Sequence, residues 1–457
     1  MKFKINKATK RILIAATIIL TLVALIVPAQ IKISEKYVKS GNENLKKRYY
    51  KSALLDYEKA STINPRNESL KIQLGDLYLL FGDNKKAKEE YKKATKTNPK
   101  NTQAWNRYIK AILLEKDLFK LSEELIKIPE KIKKDEDFAV QYSRALASTG
   151  NIKEAINIIS RKKSEESLFY QSVYSFSLNN YEKAIEIFES IPRENSLNHF
   201  YKTLGGTVFS AKKSNSNIYQ KTIVAQTLNE IDEPYLAEKI LKDVVKENTA
   251  YRDGYLFLGY SYFLQKNVKE AKENIKKTIK IDPFYGLAYF FQAKCNFFES
   301  DKKEGKESLE NAIKFGLKNA EVYSLLAKVE MELENWPKAE KYFKEALFFD
   351  ENSEKIIEGL VESLLKQGKI VESRDLVNQK SENNYLLGLI EIEEGNFENA
   401  ENFLKKSLTK NPYSAKVAYK LSLLYEKIGD LNKKEEYIKK TREYDITGHW
   451  EQLTNKF

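Results

Sequence analysis

The sequence repeats itself with a period of 34 residues, and this period restricts the folds open to the chain. Within each period, two short amphipathic helical patterns are separated by a turn, and a proline follows the second pattern. Five pairs of identical residues keep this spacing: Gly41 and Gly75, Ala53 and Ala87, Tyr57 and Tyr91, Ala60 and Ala94, and Pro65 and Pro99. A helical pair this short cannot bury its own apolar face, so it needs neighbours of the same kind.

The same pattern returns much later in the chain. An alanine follows a glycine after 12 residues, and a proline follows the glycine after 24 residues. These residues are Gly259, Ala271 and Pro283, and again Gly388, Ala400 and Pro412. A 34-residue helix-turn-helix period with small residues at fixed offsets resembles the tetratricopeptide repeat (TPR) family. The resemblance covers nearly everything after residue 34, and it implies an all-α fold, an α-solenoid in which stacked TPR helical hairpins form a right-handed superhelix.

The repeat pattern divides the chain into two lobes. We expect an N-terminal TPR lobe over residues 34–192 and a C-terminal TPR lobe over residues 218–444, with about twelve repeats in total. Between them, residues 193–217 lose the pattern and end in a polar Ser/Asn/Lys run, which predicts an irregular joint. The Lys/Glu-rich helix predicted over residues 431–443 suits a terminal cap with a polar outer face, and residues 445–457 form a tail without repeats.

An apolar segment precedes the repeats. Residues 12–29 carry no charge, and these 18 residues approach the length that a helix needs to span a bilayer. Residues 1–11 contain five basic residues and no acidic one, so the positive-inside rule places this flank in the cytoplasm. We therefore expect one transmembrane helix, a signal anchor, with the TPR array extracytoplasmic. In the alternative, a peptidase cleaves after Val27-Pro28-Ala29 and the chain is secreted.

The residues that catalysis requires are scarce. Cys295 is the only cysteine, and the two histidines, His199 and His449, lie far apart in the sequence. The sequence contains no GxSxG, Walker or HExxH motif. A His-based triad and a His-rich metal site are therefore not expected. We expect no catalytic residue, no metal and no cofactor, and an enzyme would need a pocket built by residues 193–217.

The TPR resemblance implies a concave groove lined by the first helix of each repeat. Most residues at the groove positions of this sequence are polar, but two successive repeats, which start at Arg252 and Gly286, are aromatic there. The predicted protein-binding residues are Leu256, Tyr260, Phe263, Phe290, Lys294 and Phe297. Aromatic rings beside one lysine suit an apolar or extended peptide that bears a carboxylate.

Two observations restrict this groove prediction. A shift of one residue in the register would place Phe291 and Phe298 in the groove and the predicted residues in the core. In addition, peptide-binding members of the TPR family hold a terminal carboxylate with lysine and asparagine side chains from three successive repeats. Asn42 and Arg107 match that pattern here. The other positions of the pattern carry Val38, Gln73 and Gln103, so the same clamp is not expected.

These features predict a membrane-anchored TPR scaffold that binds a protein or peptide through its concave groove and catalyses no reaction. In the alternative, the chain is a secreted or surface-docked basic adaptor for an anionic polymer or membrane surface, because its formal charge is +13. No basic block stands out after residue 11, however. Nucleic acid is not an expected partner, since an exported domain seldom meets one, and no small-molecule ligand is expected.

Overall fold

The computed structural model describes residues 7–115, 118–191, 214, 216–381 and 383–454. The side chains of residues 7–15, 18–25, 181, 451, 452 and 454 are not among those described. All regular structure in the described residues is helical, and they contain no β-strand. The prediction of an all-α fold built from helical hairpins is confirmed for this part of the chain.

The helices alternate with short connections of a few residues. Between residues 7 and 191 they are α1 (Lys7–Lys46), α2 (Tyr50–Ile63), α3 (Glu68–Leu80), α4 (Asn84–Thr97), α5 (Thr102–Glu115), α6 (Leu118–Ile126), α7 (Glu130–Lys133), α8 (Glu136–Ser148), α9 (Ile152–Ile159), α10 (Glu165–Ser177) and α11 (Tyr181–Glu189). Between residues 217 and 454 they are α12 (Asn217–Glu230), α13 (Pro234–Glu247), α14 (Arg252–Leu264), α15 (Val268–Ile281), α16 (Gly286–Phe298), α17 (Lys302–Lys314), α18 (Ala320–Glu332), α19 (Trp336–Phe349), α20 (Glu354–Leu365), α21 (Ile370–Lys380), α22 (Asn384–Glu394), α23 (Phe397–Lys410), α24 (Ala415–Ile428), α25 (Leu431–Tyr444) and α26 (His449–Thr454).

The hairpin of α3 and α4 shows why these residues form two helices rather than one. The Asn67 side chain accepts a hydrogen bond of 3.0 Å from the backbone N–H of Leu70, which caps the start of α3. Gly82 then takes a positive φ of 74°, where a side chain would be strained, and this turns the chain after α3. Asp83 caps α4 by accepting a hydrogen bond of 3.0 Å from the backbone N–H of Lys86.

The residues of the repeat pattern occupy three kinds of position. Gly41 and Gly75 lie where two helices of a hairpin cross, and an added methyl group would collide with the rings of Tyr57 and Tyr91. The alanines of the pattern are fully buried; they are Ala53, Ala87, Ala271 and Ala400. The prolines of the pattern lie in connections between helices; they are Pro65, Pro99, Pro283 and Pro412. Small residues therefore allow close helix crossing, and proline separates one hairpin from the next.

Helix α1 includes the apolar segment predicted to span a membrane. It is continuous from Lys7 to Lys46, so residues 12–29 and the first helix of the first repeat form one helix with Pro28 inside it. Most side chains of the predicted segment lie outside the described residues. Among the helices that are described, none is both long enough and apolar enough to cross a membrane.

The chain divides into two compact units. The first unit consists of residues 1–115, 128–132 and 408–457, and the second consists of residues 116–127 and 133–407. The first and last hairpins of the first unit contact each other. The Ser52 hydroxyl donates a hydrogen bond of 2.6 Å to Glu443 of α25, and the Tyr49 and Tyr444 rings are 6.3 Å apart. Helix α25, which we predicted to be a polar cap, therefore packs one edge against α2.

In the second unit, a buried polar cluster joins helices that precede and follow the predicted joint. Arg144 of α8 lies 2.7 Å from Glu233, which precedes α13, and the Tyr170 hydroxyl of α10 donates a hydrogen bond of 2.8 Å to the same carboxylate. Glu233 and Tyr170 are both buried. Of the predicted joint itself, residues 193–213 and 215 lie outside the described residues, as does His199.

Candidate functional site

The predicted groove residues lie on α14 and α16, the first helices of two successive hairpins in the second unit. Each helix packs against the second helix of its own hairpin, and the shared core includes Ala271, Ile275, Ala288 and Leu309. Buried side chains lie on several faces of α16, and Phe291 is itself a member of this core. The exposed and partly exposed side chains of the two helices are the ones available to a ligand.

Leu256 and Phe290 belong to the core. Leu256 has no exposed surface, and only 4% of Phe290 is exposed. The two residues are one 34-residue period apart, so they occupy the same position in successive repeats. Both are members of the core cluster that fills the space between the hairpins. Neither side chain offers a surface to a ligand.

Tyr260 and Phe263 instead form a group of rings with two residues from the alternative register. The Tyr260 and Phe263 rings are stacked with centroids 6.4 Å apart. The Tyr260 ring also lies 4.6 Å from the ring of Phe291 on α16. The Phe298 ring meets Phe263 edge-on at 6.0 Å. We call Tyr260, Phe263, Phe291 and Phe298 the aromatic cluster. Its outer member is Phe298, which is 53% exposed.

Phe297 packs inside its own hairpin. An added methyl group at Gly305 of α17 would collide with the Phe297 ring, so glycine at this position makes room for phenylalanine. An alanine, which the repeat pattern predicts at position 305, would leave no such space for the Phe297 ring. Phe297 is thus only partly exposed, and its ring lies against Gly305 of α17.

Lys294 is already engaged by groups of the same unit. Its ammonium nitrogen lies 4.6 Å from the centre of the Phe290 ring and 3.0 Å from a carboxylate oxygen of Glu321 on α18. The Glu321 side chain is largely exposed. A ligand carboxylate would have to displace Glu321 to bind Lys294, which makes Lys294 a weaker carboxylate receptor than the sequence suggested.

The electrostatic surroundings of Tyr260 are acidic. Burial raises the pKa of the Tyr260 hydroxyl, and the nearby carboxylates of Glu321, Glu230 and Asp232 raise it further. The hydroxyl therefore stays protonated and can donate a hydrogen bond at neutral pH. An apolar ligand side chain beside a basic one matches this combination of rings and carboxylates better than a ligand carboxylate does.

The two residues that match the family's carboxylate clamp lie in the first unit, and both have partners there. The Asn42 side-chain oxygen accepts a hydrogen bond of 2.5 Å from the Tyr57 hydroxyl. Arg107 lies 3.1 Å from a carboxylate oxygen of Asp76, and the same oxygen accepts a hydrogen bond of 2.6 Å from Tyr91. Both residues therefore help to join helices of their own unit.

The described residues offer little of the chemistry that catalysis needs. Cys295 is fully buried in α16, and burial raises the pKa of its thiol to about 11, so it is protonated at neutral pH. No cluster of His, Cys, Asp and Glu side chains in the described part of the chain could hold a metal ion. His449 lies on the terminal helix α26, where its ring contacts Trp450 at 4.9 Å.

An open cavity of about 510 Å³ lies elsewhere in the second unit. Its walls come from α6, from the turn between α8 and α9, and from α13, and they include Phe119, Thr149 and Lys239. The aromatic cluster is not part of it. No sequence motif pointed to this cavity, and its mixture of lysine, serine and acidic side chains suggests no particular reaction.

Comparison with protein families identifies the repeat type. Residues 45–110 match the model of a family described as "Tetratricopeptide repeat", and residues 253–285 and 381–413 match a second model with the same description. These segments are tetratricopeptide repeats. The TPR at 253–285 covers all of α14 except Arg252, so two of the four residues of the aromatic cluster, Tyr260 and Phe263, lie on a matched repeat.

No curated protein matches the chain. Among solved structures, the chain is similar to one in the APC/C hetero-tetramer Cut9-Hcn1, with 14% identity and a TM-score of 0.40 over 93% of this chain and 96% of that one. It is also similar to yeast Tom70, with 16% identity and a TM-score of 0.35 over 93% and 95% of the two chains. For YrrB, described as a TPR protein with an unusual peptide-binding site, the values are 16% and 0.33 over 48% and 98%. With TM-scores this low, nothing about the function of this chain follows from these likenesses.

Proposed function

We propose that the chain is a TPR scaffold that binds another protein through the aromatic cluster and performs no chemistry. The observation that carries this proposal is the exposed ring of Phe298, which meets Phe263 edge-on next to the core shared by α14 and α16. Aromatic side chains that are fixed by their neighbours lose little conformational entropy on binding, so they are effective anchors in protein interfaces.

The composition of the site defines the class of ligand. The rings of Tyr260, Phe263 and Phe298 would bury an apolar or aromatic side chain of the partner. Glu321 is exposed beside them, although it is paired with Lys294. We infer that the ligand is an extended peptide or a helix with a basic residue next to its apolar anchor, since a cation can share the Glu321 carboxylate.

A comparison of capture by wild-type and variant chains tests this proposal. Chemical crosslinking followed by affinity capture of the full-length chain from intact membranes should recover a partner. The double variant Phe263→Ala and Phe298→Ala should recover at least about tenfold less of it, because each lost aromatic anchor weakens binding by more than about 1 kcal/mol. The helical circular dichroism signal should be unchanged.

A matched control removes two exposed apolar side chains elsewhere in the same unit. Phe119 of α6 is 78% exposed and Val371 of α21 is 74% exposed. The double variant Phe119→Ala and Val371→Ala should capture the partner as well as the wild type does. Equal capture by the Phe263/Phe298 variant and this control would overturn the assignment of the aromatic cluster.

We further propose that residues 12–29 anchor the chain in a membrane, with the basic flank in the cytoplasm and the repeats outside. The uncharged run of 18 residues and the five basic residues before it support this proposal. Ile26, Val27, Ile31 and Ile33, at and after the end of the run, are exposed apolar side chains in α1. Extraction of membranes with alkaline carbonate should leave the intact chain in the pellet. A mature chain that begins at Gln30, measured by intact mass, would instead show cleavage after Ala29 and contradict the anchor.

A further inference from the structure

A second group of aromatic residues lines a different edge of the second unit. The Tyr289 and Phe315 rings lie 5.1 Å apart at the ends of one hairpin. One 34-residue period later, Tyr323 and Phe349 make the equivalent pair at 5.9 Å. We call these two ring pairs, together with Phe284 and Phe348, the aromatic edge. Tyr289 lies nine residues before Phe298 on α16, or about 13 Å along the helix, so the edge and the aromatic cluster are at opposite ends of that helix.

Two phenylalanines protrude from this edge. Phe284 precedes α16 and is 74% exposed, and Phe348 lies in the last turn of α19 and is 77% exposed. Phe284 meets Phe315 edge-on at 5.6 Å, and Phe348 meets Phe349 edge-on at 5.3 Å. Each of these phenylalanines extends a group of neighbouring rings, and an exposed apolar patch, unlike a single exposed side chain, is typical of an interaction site.

The end of the edge at Phe284 is basic. Lys280, Lys314 and Lys318 are all exposed near it, and the Lys314 ammonium lies 5.3 Å from the Phe315 ring. Two carboxylates of this region, Asp253 and Asp282, are both paired with Arg252, at 2.9 and 2.7 Å. The exposed charge around Phe284 is therefore positive.

The other end of the edge, at Phe348, is acidic. Asp350, Glu351 and Glu354 are exposed directly after the two phenylalanines. Glu351 lies 3.3 Å from Lys380 but remains largely exposed. The exposed Lys344, four residues before Phe348, is paired with Glu340. The edge thus carries one protruding phenylalanine among lysines and another among carboxylates.

We propose that the aromatic edge is the interface of a homodimer with two-fold symmetry. Rotation by a half turn places the basic Phe284 end of one copy opposite the acidic Phe348 end of the other, and it does so twice in the same interface. Each contact then combines two aromatic side chains with opposite charges. An anionic membrane surface is a poorer occupant, because it would attract the basic end and repel the acidic end.

Sedimentation equilibrium of the full-length chain in a density-matched detergent tests the proposal. The wild type should dimerise in a concentration-dependent manner. Phe284→Ser and Phe348→Ser should each weaken dimerisation about tenfold or more, because each removes an aromatic residue from both copies of the contact. Val371→Ser removes a side chain of equal exposure elsewhere in the unit and should dimerise like the wild type.

A charge exchange provides a test that does not depend on loss of binding. The variant Lys314→Glu/Lys318→Glu places like charges at both contacts of its homodimer, and so does Asp350→Lys/Glu351→Lys. Each should be monomeric alone, and an equimolar mixture should dimerise, because opposite charges then meet at both contacts. Lys303→Glu, at the other end of α17, should leave dimerisation unchanged.

Three results would overturn the dimer. One is a wild-type chain that is monomeric at every concentration, and another is a mixture of the exchange variants that stays monomeric. The third is a monomeric chain that pellets with vesicles of anionic phospholipid and loses this binding through Phe284→Ser, which would assign the edge to a membrane surface.

Discussion

The Ser52 hydroxyl donates a hydrogen bond of 2.6 Å to the Glu443 carboxylate, although these residues lie 391 positions apart in the chain. Rings support the same contact, since Tyr413 and Tyr444 meet edge-on at 5.5 Å and the Arg48 guanidinium lies 5.0 Å from the Tyr413 ring. The first and last hairpins of the first unit therefore stabilise each other. A terminal hairpin of a repeat array would otherwise leave one side without a neighbour.

Removal of the Glu443 carboxylate should loosen this contact locally. We expect Glu443→Ala to increase amide hydrogen exchange in α2 and α25 by an amount equivalent to about 1 kcal/mol, because a partly buried hydrogen bond to a charged group contributes at that level. The exposed Glu436 on the same helix provides the control. If Glu436→Ala increases exchange in α2 equally, the effect of Glu443 does not come from its bond to Ser52.

The close helix crossing at Gly75 makes a second prediction. Gly75→Ala should lower the free energy of unfolding by about 1–3 kcal/mol, because the new methyl group forces the buried Tyr91 ring to move. In an exposed helix the same change would be stabilising, since alanine favours helix more than glycine does. Thermal denaturation followed by circular dichroism measures the difference, and the exposed Lys85→Ala on α4 should have little effect.

The buried polar cluster should make stability sensitive to alkaline pH. Burial and the neighbouring Glu233 carboxylate raise the pKa of the Tyr170 hydroxyl well above 10, and burial likewise raises the pKa of Tyr174. The folded state therefore holds these protons more tightly than the unfolded state does. Stability should be constant through neutral pH and fall as pH rises above about 10, where tyrosine ionises in the unfolded chain.

Denaturant titrations between pH 8 and pH 11 measure this dependence. The variant Tyr170→Phe should be less stable at pH 8, because Glu233 loses a hydrogen bond, and its stability should fall less steeply with pH. If the free energy of unfolding of Tyr170→Phe falls with pH as steeply as that of the wild type, other groups control the alkaline loss of stability.

Ionic strength separates binding by the aromatic cluster from binding by the basic surface. Many lysines in the described residues already face carboxylates, such as Lys306 with Glu330 and Lys369 with Glu340. Capture of a partner through the aromatic cluster should therefore change less than about threefold between 0.1 M and 0.5 M NaCl, since apolar contacts are not screened. A loss of several orders of magnitude would favour the anionic polymer or membrane surface as the ligand.

The fold could be predicted from the sequence because each 34-residue period predicts the same helical hairpin. The proposed site could be predicted from the sequence only in part. Successive residues on a helix point about 100° apart, so an error of one position exchanges a groove residue for a core residue. Phe290 is in the core, and Phe298 is exposed although the prediction had Phe297 instead.

Contacts between distant repeats could not be predicted from the period. Nothing in the local pattern around Ser52 or Glu443 indicates that they meet. Their contact depends on the sum of the small rotations between successive hairpins, which the local pattern does not determine. The pairing of Lys294 with Glu321 is of the same kind, since it joins side chains from successive repeats. Because of this pairing, Lys294 is less available to a ligand carboxylate than the sequence suggested.

Photocrosslinking from position 298 tests the central claim most directly. A benzoylphenylalanine in place of Phe298 in the full-length chain should form an adduct with a partner protein in cells that produce it, and the same group in place of Val371 should not. The account predicts that Phe263→Ala abolishes the adduct at position 298. An adduct that persists in the Phe263→Ala chain, or that forms equally at position 371, would contradict binding by the aromatic cluster.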